Sequence, residues 1–361
     1  MTGARRRLGA FATEHRGALT VFGSIAAIAA LAFVLAGRWN EFALALASAP
    51  LGILALAAGM QVASLLTRSE SWHVCVRAAG GTVSRRRVYR AASVGYAGNI
   101  INGQLGFAMR IGALRRNAPN ECPKTLALAT TEVPILIVEG SLAALFSFTL
   151  VAPLGLPWWV PILAFATMFG VLVGVRSVAR HRLRGWWSGL AVMRETGPRT
   201  KVIALVTLGI CFQIARNWLL LRAVGVDASV FDATAVIIAV AFLGTLPLGP
   251  STGASGMVLI LGAGGVAAVA AAGVLLTATG AVGALAYATW ALLDRIWVAR
   301  HRIRARVMDR RRTRSAYASM RGMPAHLAAI PTRHRRLIES AYFGGLTHIQ
   351  LAHLLPAPQT A

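Results

Sequence analysis

Tyr-Ala-Gly-Asn-Ile-Ile-Asn-Gly-Gln-Leu-Gly-Phe-Ala-Met-Arg-Ile-Gly-Ala-Leu-Arg-Arg, residues 96–116, decides how this chain is read. The stretch is apolar enough to enter a bilayer, yet it carries Asn99, Asn102, Gln104 and four glycines, and Arg110, Arg115 and Arg116 close its end. Unsatisfied amide groups in hydrocarbon each cost several kcal/mol. Polar, glycine-broken backbone at membrane depth therefore belongs inside protein or along a water-filled cavity. The pattern predicts a re-entrant or broken helix over residues 91–109 that lines a functional cavity. An ordinary transmembrane helix with a small-residue packing face is the alternative.

The rest of the chain supplies the membrane context. Of 361 residues, 56% are hydrophobic and 14% charged, and the mean hydropathy is +0.62. Such a chain is too apolar for a soluble globule and fits an all-α, polytopic membrane bundle. Cys75, Cys122 and Cys211 form no CxxC pair and no metal-ligand spacing, so reduced, structural thiols are expected, with no cofactor and no metal. The net charge of +25 fits cytoplasmic loops beside anionic lipid or a grip on nucleic acid.

Working outward, residues 1–17 form a basic N-terminus with Arg5, Arg6, Arg7 and Arg16. The apolar run 18–36 is long enough to cross the roughly 30 Å core, and too long for a signal-peptide core. A second span over 50–67 leads to Arg68, Arg77, Arg85, Arg86, Arg87 and Arg90, a loop that the positive-inside rule assigns to the cytoplasm. Basic residues flank 91–109 on both sides, which suits a segment that dips in and returns. Further spans are expected at about 125–151, 159–175, 202–221, 233–249, 257–274 and 279–297. That makes about eight crossings within residues 18–299, with both termini cytoplasmic in the inner membrane of a cell. The basic loop holding Arg176, Arg180, Arg182, Arg184, Arg194, Arg199 and Lys201 agrees with this parity.

Ionisable residues inside spans are functional candidates by default. Glu132 and Glu139 lie seven apart, hence on one helix face, with Pro134 between them to bend it. Gln213, Arg216 and Asn217 follow an i, i+3, i+4 pattern on another helix. A carboxylate face meeting a guanidinium face could bracket a charged or zwitterionic headgroup; snorkelling to the interface is the alternative. Leu-Pro-Leu-Gly-Pro-Ser-Thr-Gly-Ala-Ser-Gly, residues 246–256, is a second helix breaker. It could expose backbone donors to an anion such as phosphate. One breaker lies in each half of the chain, as in transporters built from repeated halves, although no sequence repeat is evident.

Arg68 and Trp72 are followed by Asn99, then Gly106-x-x-x-Arg110, an acidic residue in the next span and a late Leu-Pro-x-x-Pro loop. Over residues 15–300 this order resembles the membrane region of the lysylphosphatidylglycerol synthase/flippase family. The resemblance implies a bacterial or archaeal inner-membrane protein of about eight spans. Such proteins move an aminoacylated phospholipid between leaflets or accompany envelope glycosyltransferases. It carries over Gly106, Arg110, Glu132, Pro247 and Pro250 as substrate-binding positions. The family pattern departs at Asn102, Gln104 and Phe107, and again at Met257 and Val258, which points to a divergent substrate or a lost activity. No soluble lysyl-transferase domain follows, so aminoacylation is not expected.

Residues 300–329 form an arginine-rich juxtamembrane linker that suits anionic lipid. Residues 330–361 resemble the start of region 4 of an extracytoplasmic-function sigma factor: an amphipathic helix over 335–343, Gly344-Gly345, Thr347 as a cap, then Ile349, Leu351, Ala352 and Leu355 facing inward. The sequence stops where a recognition helix would begin, so sequence-specific DNA binding is not expected. An unrelated amphipathic hairpin is the alternative.

The first functional expectation is a flippase or transporter of a phospholipid or lipid-linked envelope precursor, without enzymatic activity. Its site would comprise Asn99, Asn102, Gln104, Gly106, Arg110, Glu132, Glu139, Gln213, Arg216, Pro247 and Pro250. A membrane-anchored regulator with a sigma-like tail is the second, and an accessory partner of an envelope biosynthesis enzyme such as a glycosyltransferase the third. Hydrolytic readings lack support, since the eight histidines are scattered and no HExxH, GxSxG or Walker motif occurs in a fitting context.

Overall fold

The structure is a computed structural model that describes residues 29, 33, 37–100, 103–181, 185–243, 252–262 and 265–321. Several expectations lie outside these residues: the first span over 18–36, Asn102, Pro247, Pro250 and the sigma-like tail. The described residues hold α-helices and short 3-10 segments and no β-strand. Residues up to Leu292 form one compact unit and those from Leu293 a second.

In chain order the helices are α1 (Trp39–Ser48), α2 (Leu51–Ala78), α3 (Arg85–Asn99), α4 (Gly103–Asn117), α5 (Thr125–Thr130) and α6 (Val133–Leu145). There follow α7 (Val151–Leu154), α8 (Trp159–His181), α9 (Thr196–Ala223), α10 (Val230–Leu243), α11 (Thr252–Leu261) and α12 (Val266–Arg321). Five segments are long and apolar enough to cross a bilayer: α2, α5 with α6, α8, α9, and α12 as far as Val298. The chain is therefore an integral, multi-pass membrane protein built as a helical bundle.

The deciding stretch is a broken helix. α3 and α4 have 15 residues each, which at 1.5 Å per residue gives about 22 Å, short of the roughly 30 Å core. They fold back on each other, because their outer ends meet: the Thr82 amide donates to the Glu121 carbonyl at 3.0 Å and Arg87 pairs with the Glu121 carboxylate. Glycines permit the close crossing. A Cβ on Gly106 would stand 2.4 Å from the Gly95 carbonyl oxygen, and one on Gly95 would stand 2.6 Å from Arg110 Cβ. The hairpin predicts that both its ends face one side of the membrane. In a cysteine-free background, Ser84→Cys and Asn120→Cys, both exposed, are expected to react with an impermeant maleimide from the same face. Labelling from opposite faces would show a full crossing instead.

The same order of elements occurs twice. α2 and α9 are both 28 residues long. Each ends in a Schellman turn around a left-handed glycine: Gly80 at φ 90 and Gly225 at φ 79 close through Gly81 to Val76 and Val226 to Leu221 hydrogen bonds. Each is followed by a pair of short helices, α3 with α4 and α10 with α11. The two long helices pack antiparallel, since Gln61 meets Arg216, Ser64 meets Gln213 and Glu70 meets Lys201. Gly209 lets them approach, its missing Cβ leaving room for Thr67 Oγ1. The halves therefore run in opposite directions.

Two details differ from the sequence expectation. Spans at 257–274 and 279–297 were expected with a loop between them, but α12 runs through that point and the break falls at Gly262–Gly265. Residues 274–279 contain neither proline nor glycine, and Thr279 returns its hydroxyl to the Leu275 carbonyl at 2.7 Å, so the helix has no reason to stop there. Gly265, at φ 128, adopts a conformation that side-chain-bearing residues avoid. The basic stretch after α8 is also more than a solvated loop. Its Gly185–Met193 segment buries Leu190, Val192 and Met193, and Thr130 donates to the Trp186 carbonyl at 2.6 Å.

Candidate functional site

α2 carries Arg68 in its central part, and Trp72 one turn later on the same face. Arg68 Nη2 donates to Glu132 Oε1 at 2.9 Å, and its Nη1 pairs with Glu139. Arg110 of α4 pairs with the other oxygen of Glu132. Glu132 precedes α6 as its N-cap residue, with Pro134 just inside the helix. Both features place a carboxylate where the helix dipole favours negative charge. The seven-residue spacing brings Glu139 back to the same face two turns on.

Aromatic rings complete the site. The Arg110 guanidinium lies 4.4 Å from the Trp72 ring centroid and 5.7 Å from that of Phe107, an arrangement that holds a desolvated cation in place. Trp72 is fixed in turn by its indole N–H, which donates to Thr131 Oγ1 at 2.9 Å. Arg110 is 5% exposed and Glu132 7%. Two arginines and two glutamates give the cluster a formal charge of zero, which is how so many ionised groups persist in an apolar bundle. Arg110 Nε is buried without a hydrogen-bond partner among the described residues.

A cavity of about 140 Å³ opens beside this cluster, lined by Arg68, Gly95, Tyr96, Asn99, Gly103, Gly106, Phe107, Arg110 and Glu132. Asn99, Gly106, Arg110 and Glu132 are thus brought together as the sequence suggested. Glu139 joins them through Arg68. Gln104, in the first turn of α4, is not part of the lining.

A guanidinium face does meet the carboxylates, but it is made of Arg68 and Arg110 rather than Arg216. The antiparallel register of α2 and α9 sets Gln213 against Ser64 Oγ at 3.0 Å and Arg216 against Gln61. Those positions are one and two turns along α2 from Arg68. Arg216 is 8% exposed and has no carboxylate partner among the described residues. Asn217 instead anchors α10, donating to the Ala233 carbonyl at 3.3 Å.

Arg68, Trp72, Tyr96 and Phe107 were not among the expected site residues. The signal for Arg68 was present: it interrupts an apolar run without ending the helix, which continues ten residues further to Ala78. A second ionic knot lies at Glu70, two residues after Arg68 along α2. Glu70 accepts from Tyr89 Oη at 2.8 Å and pairs with Arg85 at 2.7 Å and Lys201 at 3.2 Å, tying the α3–α4 hairpin to α9. Burial, reinforced by the bond to Glu70, raises the Tyr89 hydroxyl above its ordinary range, so it remains a donor at neutral pH. The described residues contain no group of three or more His, Cys, Asp or Glu that could hold a metal ion.

No curated protein and no solved structure matches this chain. A family model does, that of the lysylphosphatidylglycerol synthase TM region, over residues 20–296. This match corrects the expectation of a chain without enzymatic activity, because the family it joins is named for a synthase. That expectation rested on the lack of soluble catalytic signatures, which a helical membrane region does not carry whatever its family. The match covers well over half of the chain and includes the hairpin, the ionic cluster and both long helices, so the protein belongs to the lysylphosphatidylglycerol synthase TM region family.

Proposed function

We propose that this chain moves a phospholipid or a lipid-linked envelope precursor between leaflets, in a cell's inner membrane and with both its termini in the cytoplasm. The single observation behind this reading is the charge-neutral Arg68–Glu132–Arg110–Glu139 cluster beside a polar cavity inside an apolar bundle. Its members are exchangeable partners. A headgroup phosphate can replace a carboxylate on Arg68 or Arg110, and an amine can take up the carboxylate so released. The cavity volume suits a headgroup alone, leaving the acyl chains in the bilayer. Basic loops on the hairpin side would hold anionic lipid nearby. A half-length hairpin and an opposed second half also fit the architecture of transporters with broken helices.

The test is the leaflet distribution of aminophospholipids, read with an impermeant amine reagent. Cells carrying the gene are expected to show severalfold more outer-leaflet label than cells lacking it. Arg68→Gln is expected to copy the loss, and deletion of residues 322–361 to leave the label unchanged. Equal labelling in all strains would sink the lipid-translocation reading. Loss of phenotype on deleting the tail alone would favour the regulator reading.

A further inference from the structure

A second groove, of about 290 Å³, lies between α6, α8, α9 and the Gly185–Met193 segment. It shares no residue with the polar cavity. Its walls are apolar: Val138, Leu142, Leu172, Val202 and Ile203 are typical. Two arginines, Arg176 and Arg199, and two hydroxyl residues, Ser141 and Thr207, join this largely apolar lining. Neither makes an ion pair among the described residues.

We propose that this groove binds one anionic phospholipid, its phosphate on Arg176 and Arg199 and one acyl chain in the apolar slot. Arg176 lies in the last two turns of α8 and Arg199 in the first turn of α9. α8 and α9 are successive candidate spans, so these two ends face the same side of the membrane, where basic residues can reach lipid phosphates. Arginines at such a level can simply reach toward water. What sets this pair apart is the concave apolar space they share, near the lower end of the roughly 300–1,000 Å³ found for small-molecule sites. The space is too small for a partner helix, about 10 Å across with its side chains, whereas an acyl chain is narrow enough to enter. Arg176 is exposed and Arg199 half-buried, and with no carboxylate partner among the described residues both can receive an anion, which the phosphodiester of an anionic lipid supplies without a compensating positive group. The site is independent of the translocation reading.

The experiment titrates the purified full chain in detergent with dioleoyl phosphatidylglycerol or dioleoyl phosphatidylcholine and counts retained lipids by native mass spectrometry. The wild-type protein is expected to retain phosphatidylglycerol with about tenfold higher affinity, the value of one charge-assisted hydrogen bond. Arg176→Gln with Arg199→Gln is expected to reduce that preference to the phosphatidylcholine level. Ser141→Phe, which fills the slot and keeps both arginines, is expected to weaken retention of both lipids. Arg222→Gln, which removes an arginine that lines neither cavity, is expected to leave the preference intact. Equal retention of the two lipids by the wild type would overturn the proposal, as would an unchanged preference in the double variant. Competition by glycerol phosphate as effective as phosphatidylglycerol would also overturn it, because the slot would then contribute nothing.

Discussion

Glu132→Gln is expected to destabilise the fold by about 3–5 kcal/mol, the usual cost of removing one partner from a buried ion pair, and to abolish lipid movement. Among the described residues Glu132 is the only carboxylate that pairs with both Arg68 and Arg110, and Arg110 has no other carboxylate partner there. The amide keeps the shape of the side chain and loses the charge, leaving two guanidiniums facing one remaining carboxylate, Glu139. The loss is therefore electrostatic, and it can be reversed electrostatically. Glu132→Gln combined with Arg110→Gln restores neutrality and is expected to recover most of the stability while translocation stays absent. Unfolding of the purified protein by denaturant, for the two single variants and the pair, reads the coupling directly. A Glu132→Gln protein as stable as the wild type would show that the cluster is solvated and unimportant to the fold.

Gly106→Ala is expected to cost at least the about 1–3 kcal/mol of an overpacked core, and to disable the hairpin. The added Cβ would lie 1.8 Å from Asn99 Oδ1 and 2.4 Å from the Gly95 carbonyl oxygen. Asn99 can swing aside, but the carbonyl belongs to the backbone of α3, so the two helices must separate. Separation moves Arg110 away from Glu132 and opens the cavity floor. Gly112 on the same helix is the control, because a Cβ there meets nothing within 4 Å. Gly112→Ala is expected to be neutral or to stabilise by about 0.5–1 kcal/mol through helix propensity. Equal thermal stability and equal lipid movement for the two alanine variants would refute the close-crossing account.

The opposed halves give these results a common frame. α2 supplies Arg68 to the cavity, Trp72 to the cation beside it and, one and two turns from Arg68, Ser64 and Gln61 to Gln213 and Arg216 of α9. A change at Gly209, where the two helices touch, would disturb both sets of polar groups. Arg216 has only the Gln61 carboxamide as partner among the described residues, so the second half carries an uncompensated cation where the first carries a neutral cluster.

Composition and punctuation were enough to read the fold class. Mean hydropathy and run length require a bilayer, and glycines interleaved with Asn99, Asn102 and Gln104 favour a break over residues 91–109, although only the packing of α3 on α4 decided between that and an ordinary helix with a small-residue face. The seven-residue spacing of Glu132 and Glu139 fixed a shared face, because helical periodicity is local. Which cations those carboxylates meet was not local. Arg68 stands 64 residues before Glu132, and Arg216 was an equally good candidate by charge and depth. The choice between them rests on the antiparallel register of α2 and α9, which depends on the missing side chain of Gly209 and on packing that no single helix encodes. The end of α12's partner span was likewise misread, because glycine in an isolated stretch looks the same whether a neighbouring helix needs its space or a turn needs its φ. Residue types thus determined the environment and the local breaks; only tertiary packing decided the partners, because ion-pair energies depend on distances set between helices.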